Sequence, residues 1–277
     1  MSSFTNKIDF AVFFTVNKAN PNGDPLNGNR PREDFEGYGE LSDVCIKRKI
    51  RNRLQDMGEE IFVQSNDRAN DGFKSLKERS DSIREKNENE ETLAKKSCEK
   101  WIDVRSFGQV FAFKGDKLSI GVRGPVSIQT AVSVEPIEIT TMQITKSVNS
   151  ESKEGKASDT MGSKNRVEFG LYVIRGSINH QLAEKTGFSD EDAEKIKRAL
   201  LTLFENDASS ARPDGSMEVR RLYWWKHNCE NGQYSSAKVH RSLVVKRKEE
   251  VEVARKFEDY DITTKDLDNL KPEVIEP

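Results

Sequence analysis

Along residues 7–18, KIDFAVFFTVNK, apolar positions recur every second residue. Ile8, Phe10, Val12, Phe14 and Val16 share one face, and Ala11 and Phe13 make the other partly apolar. That pattern predicts a strand buried on at least one side and central in its sheet. At 41–58 the period changes. LSDVCIKRKIRNRLQDMG sets Ile46, Ile50, Leu54 and Met57 on one helical face, with Ser42 or Asp43 as cap and Gly58 as stop. A second helix is expected over 189–206, where Ser189 caps, acids fill the first turn, and Ala193, Ile196, Leu200, Leu203 and Phe204 form the stripe.

Between these elements the text is less regular. WIDVRSFGQVFAF at 101–113 and KLSIGVRGPVSIQTAVSV at 117–134 read as strands punctuated by glycine, as do 218–227 and 234–247. Residues 66–100 are dense in charges of both signs and sparse in apolar residues, which predicts an insertion, helical in parts. A second polar stretch, 143–166, lies between strand-like flanks and reads as a projecting hairpin with a basic tip, where Lys146, Lys153, Lys156, Lys164 and Arg166 outnumber the acids. The tail from 248 reads as acidic and weakly structured, apart from a short helix near 263–270. The order β, α, β-rich, β, α, β predicts an α+β fold: a split βαβ, ferredoxin-like core of the kind found in RNA-recognition modules, carrying two insertions.

Composition narrows this little. The chain has 277 residues, of which 33% are charged, with a net charge of −2, and its mean hydropathy is −0.76. Any polyanion-binding surface must therefore be local. No apolar run is long enough for a transmembrane helix, and the N-terminus lacks the layout of a secretory signal. Cys45, Cys98 and Cys229 form no CxxC pair, so reduced thiols in a cytoplasmic protein are expected, with no disulfide framework, metal site or cofactor.

The candidate chemistry gathers near the first helix. Lys47, Arg48, Lys49, Arg51 and Arg53 place five cations in seven residues, against a lone Asp43 in that segment. Spaced cations suit a phosphodiester chain, and a solvated helix face is the bland alternative. Upstream stands NPNGDPLNGNRPR at 20–32, in which Asn22-Gly23 and Asn27-Gly28 are turn dipeptides and Arg30 and Arg32 add charge. Such a loop can track a nucleic-acid backbone with its N–H groups. Gly121 and Gly124 bracket Arg123 and would let another backbone approach. Aromatic residues in FFTV, SFGQVFAF and LYWWKH are available for base stacking or for a core. Catalytic signals are poor. His180, His227 and His240 sit in no HExxH, and Asp24, Asp34 and Asp43 could hold a metal for phosphodiester cleavage or merely serve turns and caps.

Together, NPNGDP at 20–25, SDVCIKRKIRN at 42–52, DVRSFG at 103–108, GVRGPVSIQ at 121–129, KASDTMGSKNRVEFGLY at 156–172 and LAEKTGFSDED at 182–192 resemble a known family. It is the crRNA-binding backbone subunit of the CRISPR Cascade effector, in the RAMP superfamily, with subtype I-C nearest. The resemblance implies a modified ferredoxin-like or RRM palm (1–58, 101–135 and 167–247), a finger insertion (59–100), a projecting thumb hairpin (136–166) and an acidic tail (248–277). It implies a non-catalytic subunit whose copies stack head to tail along crRNA beside other Cascade subunits and present the guide to target DNA. Carried over by position, Asn20, Asn22, Lys47, Arg48, Arg51, Arg105 and Arg123 become RNA contacts. Met161 becomes an apolar wedge, and Lys164 and Arg166 become phosphate ligands. A metal-dependent RNA endonuclease and a protein-only assembly subunit stay open beside it. The sequence departs from the RAMP pattern where a glycine-rich loop is expected, showing only RPDGS at 212–216.

Overall fold

A computed structural model describes residues 3–85, 88–113, 119–145 and 161–277. Its centre is the strand Ile8–Ala19, hydrogen-bonded antiparallel to Met161–Ile178 on one side and to Met217–Lys226 on the other. Phe10 stands opposite Gly176 and Trp224, and Phe14 opposite Tyr172, with a register break at Phe13/Phe14 on the Met217–Lys226 side. Val126–Ile128 and Ala131–Pro136 extend the sheet beyond Met161–Ile178, Tyr38–Leu41 pairs with Ala131–Pro136 at one edge, and Glu273–Ile275 closes the other. The fold is a mixed α/β arrangement about one antiparallel sheet.

The two apolar faces foreseen for the central strand separate two cores. Ile8, Phe10, Val12, Phe14 and Val16 pack with Ile46, Ile50 and Leu54 of the helix Asp43–Asp56 and with Ala193, Ile196 and Leu200 of the helix Asp190–Leu201. Both helices start as their caps require. Ser42 accepts from the Cys45 N–H, and Ser189 with Asp192 forms a capping box. On the other face Ala11, Phe13, Tyr223 and Trp225 pack with Val239, Leu243, Tyr260, Leu267 and Leu270. A third cluster joins Phe62, Leu93 and Cys98 to Trp101, Val104, Phe111 and Ile120.

Three local expectations are corrected. Residues 101–107 are not a strand: Ile102–Phe107 is a short helix that leads into the strand Gly108–Phe111. Its alternating apolar residues face two different cores, Ile102 the first and Val104 the third, so a wedge between cores imitates the period of a strand. Residues 234–247 divide into the helix Ser236–Ser242 and the strand Leu243–Arg247. The tail is built in, with no helix over 263–270. Tyr260–Thr264 pairs with Leu243–Arg247, Leu267 and Leu270 enter the second core, and Glu273–Ile275 joins the main sheet. The expected hairpin exists as Ile139–Thr145 paired with Met161–Val167, and its expected tip at 146–160 lies outside the described residues.

Candidate nucleic-acid interface

The loop after the central strand is fixed at many points. The buried Asn20 donates from Nδ2 to the Asn29 carbonyl at 2.6 Å, and its backbone N–H donates to Ala211 at 2.9 Å. Asn22 Oδ1 accepts from the Ser42 N–H at 3.0 Å, which ties the loop to the residue that caps the first helix. Asp24 caps the short turn Pro25–Asn27 and pairs with Arg32 at 3.3 Å. Asp34 accepts from the Glu36 and Tyr38 N–H groups, both at 2.9 Å. The two aspartates therefore hold turns. Among the described residues no three His, Cys, Asp or Glu side chains are grouped to hold a metal ion.

The cations of the first helix divide by partner. Lys49 is buried against Asp207, which also takes Arg212 at 3.3 Å, and Arg53 bonds Thr202 at 2.7 Å and pairs with Glu205. Arg51 donates from Nε to the fully buried Asp103 at 2.9 Å and lies over the Phe107 ring at 5.1 Å. Asp103 also accepts from the Phe62 and Val63 N–H groups at 2.7 and 3.0 Å. Among the described residues Lys47 makes only an i,i+4 pair with Asp43 at 3.0 Å, a contact of small strength in water. Arg48 bonds Asn52 at 3.3 Å and, among the described residues, makes no ion pair, although the Asp103 and Asp67 carboxylates act on its charge. Burial, followed by the Arg51 charge, pushes its guanidinium below its ordinary pKa. An added phosphate would relieve that repulsion.

The remaining candidates are dispersed. Arg105 makes a bidentate pair with the buried Asp192 at 3.0 and 2.7 Å, so it clamps the short helix to Asp190–Leu201. Arg123 is exposed at the end of the strand Ile120–Arg123 and has no partner among the described residues. The glycine argument holds for Gly124 alone: a Cβ there would stand 2.5 Å from the Gly108 nitrogen, whereas Gly121 faces open space. On the hairpin, Arg166 pairs with Glu168 at 3.0 Å, and Lys164 has no ion pair among the described residues. Met161 is 63% exposed. Side chains alternate across a ribbon, so Met161 lies on one face and Lys164 and Arg166 on the other.

The aromatic candidates are mostly spent in the cores. Phe13, Tyr223 and Trp225 form edge and stacked pairs at 5.9 and 5.8 Å beneath the C-terminal segment. Both faces of the central strand are therefore covered, and binding of bases on an open sheet face is closed here. The candidate surface that remains comprises the loop, the half-buried Lys47 and Arg48 of the first helix, and the hairpin. Its anchor points, Asp103, Asp192 and Asp207, had no signal in the sequence, because each lies far along the chain from its cation.

The family model for the CRISPR-associated protein Cas7 matches residues 6–265, nearly the whole chain. The chain belongs to the Cas7 family. A Cas7 protein of Haloferax volcanii is 26% identical over 239 residues, which cover 79% of this chain and 69% of that one. Among solved structures, a chain of a CRISPR RNA-guided surveillance complex, pre-nicking, superposes with a TM-score of 0.50 at 16% identity, covering 83% of this chain and 81% of its own. A chain of another CRISPR RNA-guided surveillance complex gives a TM-score of 0.47 at 16% identity, covering 79% and 68%. For the Cas7 family member described here, the superposition with a TM-score of 0.50 agrees in fold with the central antiparallel sheet. No helix among the described residues is long and apolar enough to cross a membrane.

Proposed function

We propose that this chain is a non-catalytic, crRNA-binding backbone subunit of a Cascade surveillance complex of subtype I-C, acting in the cytoplasm. Copies stack head to tail along the guide, beside other Cascade subunits, and leave its bases free to pair with target DNA. The observation that carries the reading is the joint between loop and helix. Asn22 holds the Ser42 cap, and directly beyond it Lys47 and Arg48 stand without a strong acidic partner among the described residues. A rigid loop followed by free cations suits a phosphodiester chain.

The strand order supports an RRM-like palm. Met217–Lys226, Ile8–Ala19, Met161–Ile178 and Ala131–Pro136 lie side by side, and helices lie on the connections from Ile8–Ala19 to Ala131–Pro136 and from Met161–Ile178 to Met217–Lys226, as in a doubly split βαβ unit. The finger insertion is 59–100, and the third apolar cluster links it to the segments that follow, since Phe62, Leu93 and Cys98 share a core with Trp101, Phe111 and Ile120. The thumb is the hairpin within 136–166, and the tail from 248 serves the palm. Lys47, Arg48, Arg123, Lys164 and Arg166 are assigned to phosphates. Asn20, Asn22, Arg51 and Arg105 position the surfaces that carry them.

The test is RNA binding against salt. Each lost phosphate contact on a single strand lowers the log–log slope by about 0.7, so Arg48→Ala with Arg123→Ala should flatten it by about 1.4. An unchanged slope would remove both residues from the interface, and no RNA affinity at low salt would leave an assembly protein. Incubation with labelled RNA and Mg²⁺ or Mn²⁺ should give no products; products abolished by Asp24→Ala would overturn the non-catalytic reading.

A further inference from the structure

The outer strands of the sheet are covered on one face only. Along Val126–Ile128 and Ala131–Pro136 burial alternates: Ile128, Ala131 and Ser133 are buried on the side of the first core. On the other side Ser127 is exposed, and Val132 and Val134 are half-buried. Glu40 stands opposite Val132, and Val132 opposite Val173, so Glu40 shares that second face. So does Arg175, two residues along from Val173. The Gln129 N–H donates to the Arg175 carbonyl at 2.9 Å, which sets the exposed Gln129 beside it. The helix Ser236–Ser242 borders the face, with His240 bonded to the Gly176 carbonyl at 3.1 Å. Arg175 and Glu40 are both half-buried, and neither side chain makes a hydrogen bond or ion pair among the described residues. The half-buried Arg51, Arg53 and Arg105 each hold an acid instead. Burial holds the Arg175 guanidinium below its ordinary pKa. A half-desolvated charge with no counter-ion costs stability until a ligand supplies one.

We propose that this uncovered face docks a second, non-identical protein subunit, with Arg175 receiving a carboxylate and Glu40 a lysine or arginine, a proposal that rests on the surveillance-complex reading above. Strand spacing and rise put the two Cα positions about 12 Å apart. Between them lie Val132 and Val134, an aliphatic floor where a strand face turned to water is ordinarily polar. A nucleic-acid backbone fits poorly. Among the described residues these strands place one cation on the face, and a carboxylate stands on the same surface. Arg175 also lies about 27 Å along its strand from Val167, where the hairpin begins. The first helix, with Lys47 and Arg48, packs on the opposite face. Another copy of this chain fits poorly for a different reason. Across a two-fold axis Arg175 would meet Glu40 and Glu40 would meet Arg175, which closes a pair, whereas an open stack joins two different surfaces. A different chain lying beside the stack meets neither restriction.

The experiment uses the assembled complex, purified with its guide RNA and all its subunits. Gln129→Cys in a Cys229→Ser background carries a benzophenone maleimide, with the Cys229→Ser parent as control, and the photo-cross-linked peptide is sequenced by mass spectrometry. The cross-link should join a chain of different sequence at a surface bearing a carboxylate. Arg175→Glu and Glu40→Lys should each cut its yield at least about tenfold, while guide RNA content and the number of stacked copies stay as in the parent. Reversing the charge of the partner carboxylate so located should restore the yield with Arg175→Glu. If Arg175→Glu does not accumulate as folded protein, Glu40→Lys and Arg175→Gln carry the test. A cross-link to another copy gives the face to the stack and overturns the proposal. A cross-link to RNA or DNA, no cross-link, or a yield unmoved by the charge reversals overturns it equally. A complex that assembles without guide RNA would sink the functional reading and the docking surface with it, whereas a complex that holds its RNA but cross-links elsewhere sinks the docking surface alone.

Discussion

Replacing Arg51 with methionine separates the two roles a cation on the first helix can have. The substitution keeps an apolar stem beside Phe107 and removes the guanidinium from Asp103, which is fully buried. Removing one partner of a buried ion pair costs about 3–5 kcal/mol, because the remaining charge is left in a poor environment. Here Asp103 keeps the Phe62 and Val63 N–H groups, so the cost should fall at the low end, about 3 kcal/mol. Loss of the cation over the Phe107 ring adds about 0.5–1 kcal/mol. With a urea m value of about 3 kcal/mol/M for a chain of this size, the unfolding midpoint should drop by about 1 M. The RNA salt slope should stay at the parent value, because Arg51 is committed to Asp103 and not to phosphate. Arg48→Ala should do the reverse, sparing the midpoint and lowering the slope by about 0.7. A midpoint for Arg51→Met within about 0.3 M of the parent, with a slope lowered by about 0.7, would refute the reasoning and return Arg51 to the RNA.

Acid should destabilise the fold in two steps. Burial pushes His240 below its ordinary 6.5, so its contribution is full above that value and falls as pH drops through it. Burial raises the Asp9 carboxyl, but its bonds to His227, Ser236 and Lys7 outweigh this and hold it below 3.8; its contribution is full above 3.8 and is lost on further acidification. Melting temperature against pH should show both limbs, the lower one flattened by Asp9→Asn, and a melting temperature that rises on acidification would contradict the assignment. Gly124→Ala forces a Cβ onto the backbone of Gly108 and Phe107, at a cost of about 1–3 kcal/mol, read as a lower melting temperature; an unchanged value would show that the two backbones separate freely. Of the three thiols, exposed Cys229 should react first with a thiol reagent at mild alkaline pH. Cys98, buried and pushed up to about 11, should react only on unfolding, and a fast phase surviving Cys229→Ser would count against this order.

What the sequence disclosed was local, because caps, stripes and alternation act over a few residues. Ser42 and Ser189 mark their helices, and the central strand shows both its apolar faces. Ile102–Phe107 was misleading because its apolar residues divide between two cores. The tail was misleading for a related reason: Leu267, Leu270 and Ile275 are single anchors spaced among charges, too sparse to show a period. The candidate site was legible as a neighbourhood and not as a set of roles. Arg51, Lys49 and Arg105 look like Lys47 and Arg48 in the sequence, yet their acids lie 52, 158 and 87 residues away. Only tertiary contact distinguishes a structural cation from a free one.

The same division bears on how a chain with a net charge of −2 could bind a polyanion through the surface proposed above. In the first helix, Lys49, Arg51 and Arg53 are neutralised within the fold by Asp207, Asp103 and Glu205, so they add rigidity and little field. Lys47 and Arg48 are half-buried on the helix that those pairs anchor. Affinity for a phosphate chain depends on how many cations reach it and how little they must reorganise, and not on the sum over the molecule. Adding a lysine elsewhere on the surface should therefore change RNA affinity less than loosening Asp103 or Asp207, although loosening either acid leaves Lys47 and Arg48 themselves unchanged.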